Sequence, residues 1–159
     1  MQPEETASRL ADVAITRAGQ RPRFILALTG PPGVGKSTLS DALVQEFERR
    51  GQSAAIVPMD GFHLDNSVLQ ERGLMARKGA PFTFDADGYA ALLRRLRDER
   101  DQDIAVPVFD RTLDMVRGCG RIISPSHRFL IAEGNYLLLP APPWVGMSEL
   151  FDLKIMLRT

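Results

Sequence analysis

The chain contains dense apolar runs that alternate with segments of helical period. Residues 24–28 and 129–132 are continuous apolar runs, a pattern typical of strands buried on both faces of a parallel sheet. Residues 54–60 ("AAIVPMD") and 150–158 ("LFDLKIMLR") predict two further strands. The apolar pattern therefore predicts a mainly parallel sheet.

Helical periodicity appears between these runs. Residues 37–51 predict a helix, with apolar side chains spaced by four and a glycine at the end. Residues 85–100 predict another, with Asp85 placed to cap its first turn. Residues 104–110 predict a short strand weakened by its proline, and residues 111–127 an irregular or hairpin-like segment. Strand, helix and strand in sequence predict a right-handed βαβ unit, so the fold class is α/β, in three layers with helices on both sides of the sheet.

The N-terminal residues predict one more helix, over 3–18, with Gly19 as its stop. Leu10, Val13 and Ala14 are expected to share one side of it. We expect this helix to pack against the rest of the domain.

The composition is that of an ordinary globular protein. The chain has 159 residues, which suggests a single domain over 1–159, and 20 basic residues balance 20 acidic ones. A formal charge of zero gives no electrostatic reason to expect a nucleic-acid partner, and no apolar stretch of the N-terminus predicts a membrane span. The single cysteine, Cys119, rules out an intrachain disulfide and fits a reducing cytoplasm. We therefore predict a cytoplasmic location; the oligomeric state, a homodimer included, stays open.

Residues 30–37, "GPPGVGKS", match the phosphate-binding pattern G-x-x-x-x-G-K-[ST] in full, between a predicted strand and a predicted helix. The glycines let the backbone turn so that successive N–H groups face phosphate oxygens, and the helix N-terminus adds positive potential. Lys36 is expected to reach the β- and γ-phosphates, Ser37 to hold Mg²⁺ and Thr38 to contact the α-phosphate. The alternative is a chance glycine turn. The predicted nucleotide-binding residues are Gly30, Gly33, Val34, Gly35, Lys36, Ser37 and Thr38.

Two acids lie where predicted strands end. Asp60 follows the second strand, at the sheet edge where ligands bind in open α/β folds. Its carboxylate is expected to accept or orient the proton of an acceptor hydroxyl, or to bind Mg²⁺ through water; the alternative is a turn-forming Asp before Gly61. Glu133 ends a dense apolar run and is expected to serve Mg²⁺, the alternative being a capping carboxylate before a Gly-Asn turn.

Five motifs occur in the order "GPPGVGKSTL", "MDGFH", "LMARKGAPFTFD", "PVFD" and "LIAEGNYLLL". In this order they resemble the P-loop kinase family of uridine kinase, bacterial pantothenate kinase and phosphoribulokinase. "MDGFHLDN" with "AEGNYLLL" looks closest to members described as nucleoside or sugar kinases, including ones linked to fructose transport. The resemblance implies a P-loop NTPase fold and an ATP- and Mg²⁺-dependent kinase. In it Asp60 would be the catalytic base, Lys36 would clamp the γ-phosphate, and Ser37 and Glu133 would serve Mg²⁺.

The resemblance also implies an acceptor pocket. Asp85 occupies a position that binds acceptor hydroxyls in uridine kinases, a second role beside the predicted helix cap. The other expected substrate contacts, with surface exposure or core packing as the alternatives, are His63, Phe84, Phe109 and Arg111. Uridine kinases carry a histidine where this chain has Asp114, and pantothenate kinases carry one at Arg111, so the resemblance leaves the acceptor unnamed.

Family members continue past the strand that ends "KIMLRT" into an arginine-bearing lid helix and a further strand. These parts are expected outside the given sequence. The predicted function is phosphorylation of a hydroxyl group on a small metabolite, a sugar such as fructose or a nucleoside. The alternatives are pantothenate or uridine kinase proper, a simple NTPase, and a non-catalytic subunit that senses ATP.

Overall fold

The computed structural model describes residues 2–158, which form six strands and four α-helices. The strands are β1 (Phe24–Thr29), β2 (Ala54–Pro58), β3 (Ile104–Asp110), β4 (Met115–Ile123), β5 (Phe129–Gly134) and β6 (Leu153–Met156). The helices are α1 (Pro3–Ala18), α2 (Lys36–Arg49), α3 (Asn66–Glu71) and α4 (Ala86–Asp98). None of the helices in this part of the chain is long and apolar enough to cross a membrane.

Four strands form a parallel sheet in the order β2-β5-β1-β6. β5 lies between β1 and β2, and β6 pairs with the other side of β1. α2 connects β1 to β2 and passes over β5, which lies between them. A helix makes this connection because parallel strands cannot be joined by a tight turn and need a crossover. The predicted α/β fold with a mainly parallel sheet is confirmed.

The side chains of β1 show how the sheet becomes the middle of three layers. Phe24, Leu26 and Leu28 pack with the helices α1 and α2 on one face. Ile25 and Ala27 point to the other face and pack with α4 and the β3–β4 segment. Since successive side chains of a strand alternate between faces, burial on both sides explains why β1 has no polar alternation.

Helix α1 has the predicted bounds but a different packing face. Its buried residues are alanines spaced by three and four, namely Ala7, Ala11, Ala14 and Ala18. Val13, which was expected on the packing side, is 40% exposed, and Leu10 is only partly buried. Short alanine side chains let α1 lie close against α2, so the wider valine faces solvent.

Strands β3 and β4 form a separate antiparallel pair outside the main sheet. The segment predicted to be irregular or hairpin-like contains β4, so the hairpin alternative is the one the structure adopts. The register shifts between Val106 and Val108, at Pro107. Proline lacks the N–H group that a regular ladder requires, so the irregularity lies where the sequence demands it.

This β3–β4 hairpin packs closely against the short 3-10 turn Met59–Phe62 that follows β2. A Cβ atom added at Gly61 would lie 2.3 Å from the carbonyl oxygen of Pro107, a backbone atom that cannot move aside alone. The absence of a side chain at Gly61 therefore determines how near the hairpin comes to Asp60.

We expect Gly61→Ala to lower the free energy of unfolding by about 1–3 kcal/mol, the usual cost of overpacking a tight contact. Urea denaturation measures it. Gly118→Ala is the matched control, because a Cβ at Gly118 meets nothing within 4 Å, and it should stay within about 0.5 kcal/mol of the original. Equal stabilities for the two variants would contradict the close contact.

Candidate functional site

The loop between β1 and α2 turns through glycines with left-handed backbone angles. Gly33 has φ 78° and Gly35 has φ 98°, conformations that a side chain disfavours. Among the residues that the structure describes, no side chain caps the start of α2, so its first N–H groups remain available to a ligand. The Nζ of Lys36 donates to the carbonyl oxygen of Pro31 across the loop at 2.8 Å. Amide donors and an ammonium group thus converge as an anion-binding site requires.

A cavity of about 440 Å³ lies beside this loop. From the loop and the first turn of α2 it is lined by Pro32, Gly33, Gly35, Lys36, Ser37 and Thr38. From the ends of β2, β3 and β5 it is lined by Asp60, Arg111, Glu133, Gly134 and Asn135. Two predicted loop residues, Gly30 and Val34, lie outside its lining; a Cβ at Gly30 would lie 2.7 Å from the carbonyl oxygen of Leu157, next to β6.

The ends of β2 and β5 bring the two predicted acids to this cavity. Pro58 pairs with Glu133, and a Cβ at Gly134 would lie 2.4 Å from the Cβ of Met59. Asp60 follows Met59 directly and Glu133 precedes Gly134. The close approach of these two backbones therefore places both carboxylates at one edge of the sheet.

Glu133 is hydrogen-bonded to the loop side of the cavity. Ser37 Oγ donates to Glu133 Oε1 at 3.1 Å. Burial raises the pKa of Glu133 and the neighbouring Asp60 adds to it, whereas the Ser37 hydrogen bond, Lys36 and Arg111 act in the opposite direction. Burial likewise lowers the pKa of Lys36, opposed by Glu133 and Asp60. Lys36 and the two carboxylates are held in a partly desolvated cavity, where charges interact more strongly than in water.

The oxygen atoms at this edge fit Mg²⁺, the metal that the phosphate-binding pattern implies. Ser37, Glu133 and Asp60 offer hydroxyl and carboxylate oxygens, which this hard cation prefers. Among residues 2–158, no group of three or more His, Cys, Asp and Glu side chains could hold a metal ion by itself. Mg²⁺ commonly keeps several waters and binds substrate phosphates through one or two carboxylates, so the small donor set agrees with a metal that enters with a nucleotide.

The turn that carries Asp60 is held from two sides. Upstream of it, the buried hydroxyl of Tyr89 on α4 donates to the carbonyl oxygen of Val57 at 2.6 Å. Downstream, His63 Nδ1 lies 2.8 Å from the carbonyl oxygen of Asp60. Because a carbonyl oxygen only accepts, Nδ1 carries the proton in this contact. These bonds position the Asp60 backbone without using its carboxylate.

A second cavity, of about 340 Å³, opens on the other side of Asp60. The ring of His63 lies between two aromatic walls, with centroids 4.3 Å from Phe84 and 4.6 Å from Phe109. The full lining is Asp60, His63, Gly79, Phe84, Phe109, Arg111, Asp114 and Asn135. Aromatic walls with a few polar groups are typical of sites for small organic molecules.

Asp114, which lines this second cavity, is held by a polar network. Lys78 Nζ donates to Asp114 Oδ1 and to Asn66 Oδ1, both at 2.7 Å, and Asn66 Nδ2 donates to Asp114 Oδ2 at 3.0 Å. The Lys78 hydrogen bond, followed by that of Asn66, lowers the pKa of Asp114. Lys78 also lies 5.3 Å from the centroid of the Phe109 ring. The network joins α3, the start of the 78–84 loop and the β3–β4 turn beside the cavity.

The loop that supplies Gly79 and Phe84 is anchored to the segment that follows β5. Tyr136 donates its hydroxyl to the carbonyl oxygen of Gly79 at 2.6 Å, and Trp144 Nε1 donates to that of Pro81 at 2.9 Å. The Phe84 ring makes edge contacts with both aromatic rings. The position of Phe84 in the cavity is therefore a consequence of packing between distant segments.

Four of the five predicted substrate residues line this second cavity; Asp85 does not. Its Oδ1 accepts from the N–H of Gly88 at 2.9 Å and caps α4, as the pattern predicted. Sequence reasoning missed Asn135, which lines both cavities; its place directly after "EG" at a strand end was the available signal. The joint placement of Asn66, Lys78 and Asp114 had no sequence signal, because the three lie far apart along the chain.

Comparisons with known proteins extend these observations. Residues 1–77 match the family described as "Methylmalonyl Co-A mutase-associated GTPase MeaB", which covers the phosphate-binding loop but less than half of the chain. The chain is 38% identical to the "Putative uridine kinase C227.14" of Schizosaccharomyces pombe over 83% of its length, and 35% identical to the pantothenate kinase of Enterococcus faecalis over 84%. It spans 59% and 44% of the lengths of these two relatives.

A solved structure matches more completely. The crystal structure of a "putative fructose transport system kinase" from Silicibacter sp. TM1040 superimposes with a TM-score of 0.89 at 41% sequence identity. The match covers 96% of this chain and 74% of that one. The two chains therefore share one fold over nearly all of this chain.

We expect Glu133→Gln to raise the free energy of unfolding at pH 7 in the absence of nucleotide and Mg²⁺. The folded state holds the Glu133 proton more tightly than the unfolded state, so the original protein loses stability as pH rises from the ordinary pKa of 4.5 through the higher folded value. Glutamine removes this penalty and retains an oxygen for Ser37. The gain should shrink as the pH falls below 4.5, and urea denaturation at several pH values measures it.

The matched control for this prediction is Glu149→Gln, at an exposed position. A stability gain at pH 7 that persists unchanged at low pH would show that burial of the Glu133 charge is not its source.

Proposed function

Because the chain belongs to the uridine kinase- and pantothenate kinase-like family of P-loop kinases, we propose that it transfers the γ-phosphoryl group of ATP to a hydroxyl group of a small metabolite. The single observation that carries the proposal is the position of Asp60. Asp60 lines both the cavity beside the phosphate-binding loop and the aromatic-walled cavity. A group that prepares an alcohol for attack on a phosphoryl group has to lie between the two reactants.

The phosphate side of the reaction is assigned to the loop and the start of α2. The amides of the loop and Lys36 bind the β- and γ-phosphates and neutralise the charge that grows during transfer. Thr38, in the first turn of α2, lines the same cavity. Gly30 and Val34 belong to the loop outside that lining, and we propose that they complete the nucleotide contacts. Mg²⁺, when bound through Ser37 and Glu133 with Asp60 nearby, supplies further charge neutralisation on the phosphate oxygens.

The acceptor side is assigned to the aromatic-walled cavity. Asp60 accepts the proton of the attacking hydroxyl, and Phe84 and Phe109 orient the acceptor against it. His63 and Arg111 offer polar contacts, and Asp85 is proposed to reach an acceptor hydroxyl from the adjoining start of α4. Asp114 stands where uridine kinases carry a histidine, and Arg111 stands where pantothenate kinases carry one. The acceptor therefore depends on what a carboxylate and a guanidinium group at these two positions can bind.

A sugar such as fructose, or a nucleoside, is the acceptor we favour. The name of the Silicibacter protein refers to fructose transport and that of the Schizosaccharomyces protein to uridine, and both acceptors carry several hydroxyl groups. The cavity combines aromatic surface with carboxylate, amide and guanidinium groups, which suits a polyhydroxylated molecule. Use of ATP implies a cytoplasmic location.

The acceptor is identified by incubating the protein with ATP, Mg²⁺ and single candidates: fructose, other sugars, uridine and pantothenate. A kinase forms ADP at a rate that depends on one of them. Release of phosphate at a rate indifferent to every acceptor would identify a simple NTPase, and nucleotide binding without turnover in the full gene product would identify an ATP-sensing subunit.

We expect Asp60→Asn to retain ATP binding but to lower kcat by about 10²–10⁴-fold, the usual contribution of a general base. Asparagine keeps the size of the side chain and cannot accept the proton. Coupled measurement of ADP formation gives kcat, and calorimetry gives ATP affinity. Asp101→Asn, at an exposed turn position, is the control and should leave both unchanged.

Lys36→Ala provides the contrast, because it should impair productive use of ATP itself rather than the acceptor step. Lys154→Ala removes a lysine of the exposed sheet edge and serves as its control. If Asp60→Asn turned over at the original rate, the assignment of the base would be wrong even though the nucleotide site remained.

We expect Asp85→Asn to raise KM for the acceptor while it changes the free energy of unfolding by less than about 0.5 kcal/mol. Asparagine caps helices as well as aspartate does, so α4 keeps its N-terminal hydrogen bond, whereas the negative charge toward the acceptor is lost. Asp85→Ala should lower stability by about 1 kcal/mol in addition. An unchanged KM for Asp85→Asn would restrict this residue to capping.

A further inference from the structure

A third cavity, lined mainly by arginines, lies at the opposite end of the sheet from the phosphate-binding loop. It has a volume of about 390 Å³ and is built where β1 and β6 begin and α4 ends. Its charged lining consists of four arginines and one acid, namely Arg21, Arg23, Arg97, Arg100 and Asp152. Four cations against one anion leave a net charge of plus three around this space.

The guanidinium group of Arg23 is the most buried of these charges. The residue is 7% exposed, and its three nitrogens donate to the carbonyl oxygens of His127, Leu96 and Ser124 at 3.0, 2.8 and 2.8 Å. No carboxylate among residues 2–158 forms an ion pair with it. Burial, together with the nearby positive charge of Arg100, lowers the pKa of Arg23. A buried cation without a counter-ion is costly, and the cost falls when an anion binds nearby.

Arg97 adds a second unsatisfied group. Its Nε is buried and has no hydrogen-bond partner in the described structure, although its Nη2 contacts Asp152 at 3.4 Å and the carbonyl oxygen of Leu150. A buried donor that remains unpaired is uncommon and costs about 1–3 kcal/mol. Arg97 thus adds an unpaired donor beside a cavity that already has an excess of positive charge.

Asp152 cannot neutralise the group alone. Its Oδ1 contacts Arg21 at 3.2 Å, and its Oδ2 accepts from the backbone N–H of Ile25 at 2.8 Å while also contacting Arg97. The carboxylate is therefore shared among three donors. Within the described residues, the Arg100 side chain donates only to the carbonyl oxygen of Arg97, in the last turn of α4, at 3.0 Å.

We propose that this arginine cavity binds a small molecule through a diphosphate group. Guanidinium groups donate in a planar fork that matches phosphate oxygens, and several of them around one cavity favour an anion of more than one charge over a single carboxylate. The site is separate from the phosphate-binding loop and does not depend on the proposed kinase reaction.

Pyrophosphate is the probe, titrated by calorimetry into the Lys36→Ala protein so that the phosphate-binding loop contributes little. We expect one site. Adding Arg100→Gln to this protein should weaken it about 10–100-fold, the loss expected for a hydrogen bond to a charged group. Arg94→Gln, an exposed position of the same helix, should leave the affinity unchanged. An affinity that Arg100→Gln does not alter would overturn the proposal.

A direct measurement guards against a residual contribution from the loop. Nitrogen-proton NMR spectra of the arginine Nε–H groups should show the Arg97 and Arg23 signals move as pyrophosphate is added to the original protein. If these signals stay in place at saturating pyrophosphate, the anion binds elsewhere and the proposal fails. ADP titrated in the same way separates the two sources of a diphosphate: an affinity above that of pyrophosphate points to a nucleotide, and an equal or weaker one to the free anion.

Discussion

The architecture of the site depends on the insertion of β5 between β1 and β2. Parallel pairing puts Glu133 opposite both Leu28 and Pro58, so the carboxyl ends of three strands meet at one edge of the sheet. The phosphate-binding loop leaves from β1, Asp60 follows β2, and Glu133 ends β5 itself. Because the strands carry no polar positions between these ends, burial on both faces holds the register and with it the spacing of the charges.

Holding these charged side chains close together in the cleft lowers the stability of the folded protein. Two carboxylates and the Lys36 ammonium group are held in a partly desolvated cleft, and burial moves the pKa of Glu133 up and that of Lys36 down, each toward the neutral form. The protein therefore holds charged groups in a poorly solvated cleft, a common feature of functional sites.

The two halves of the cleft have different structural origins. The phosphate half comes from a loop, a helix start and strand ends that follow one another in a βαβ unit. The aromatic-walled half is assembled from the β3–β4 hairpin, the 78–84 loop and a polar network that includes Asp114. Changes in the hairpin and the loop would therefore alter this cavity without disturbing the one beside the phosphate-binding loop.

The sequence by itself determined the parallel α/β fold, the bounds of α1, the cap of α4 and the phosphate-binding motif, because each depends on local periodicity or on a contiguous pattern. It also placed Asp60 and Glu133 at strand ends. Only the tertiary structure decided that α1 packs through alanines rather than through Val13, that Asn135 faces both cavities, and that Asn66, Lys78 and Asp114 meet. These features depend on how closely separate segments approach, and the distance between segments is set by packing that no local pattern contains.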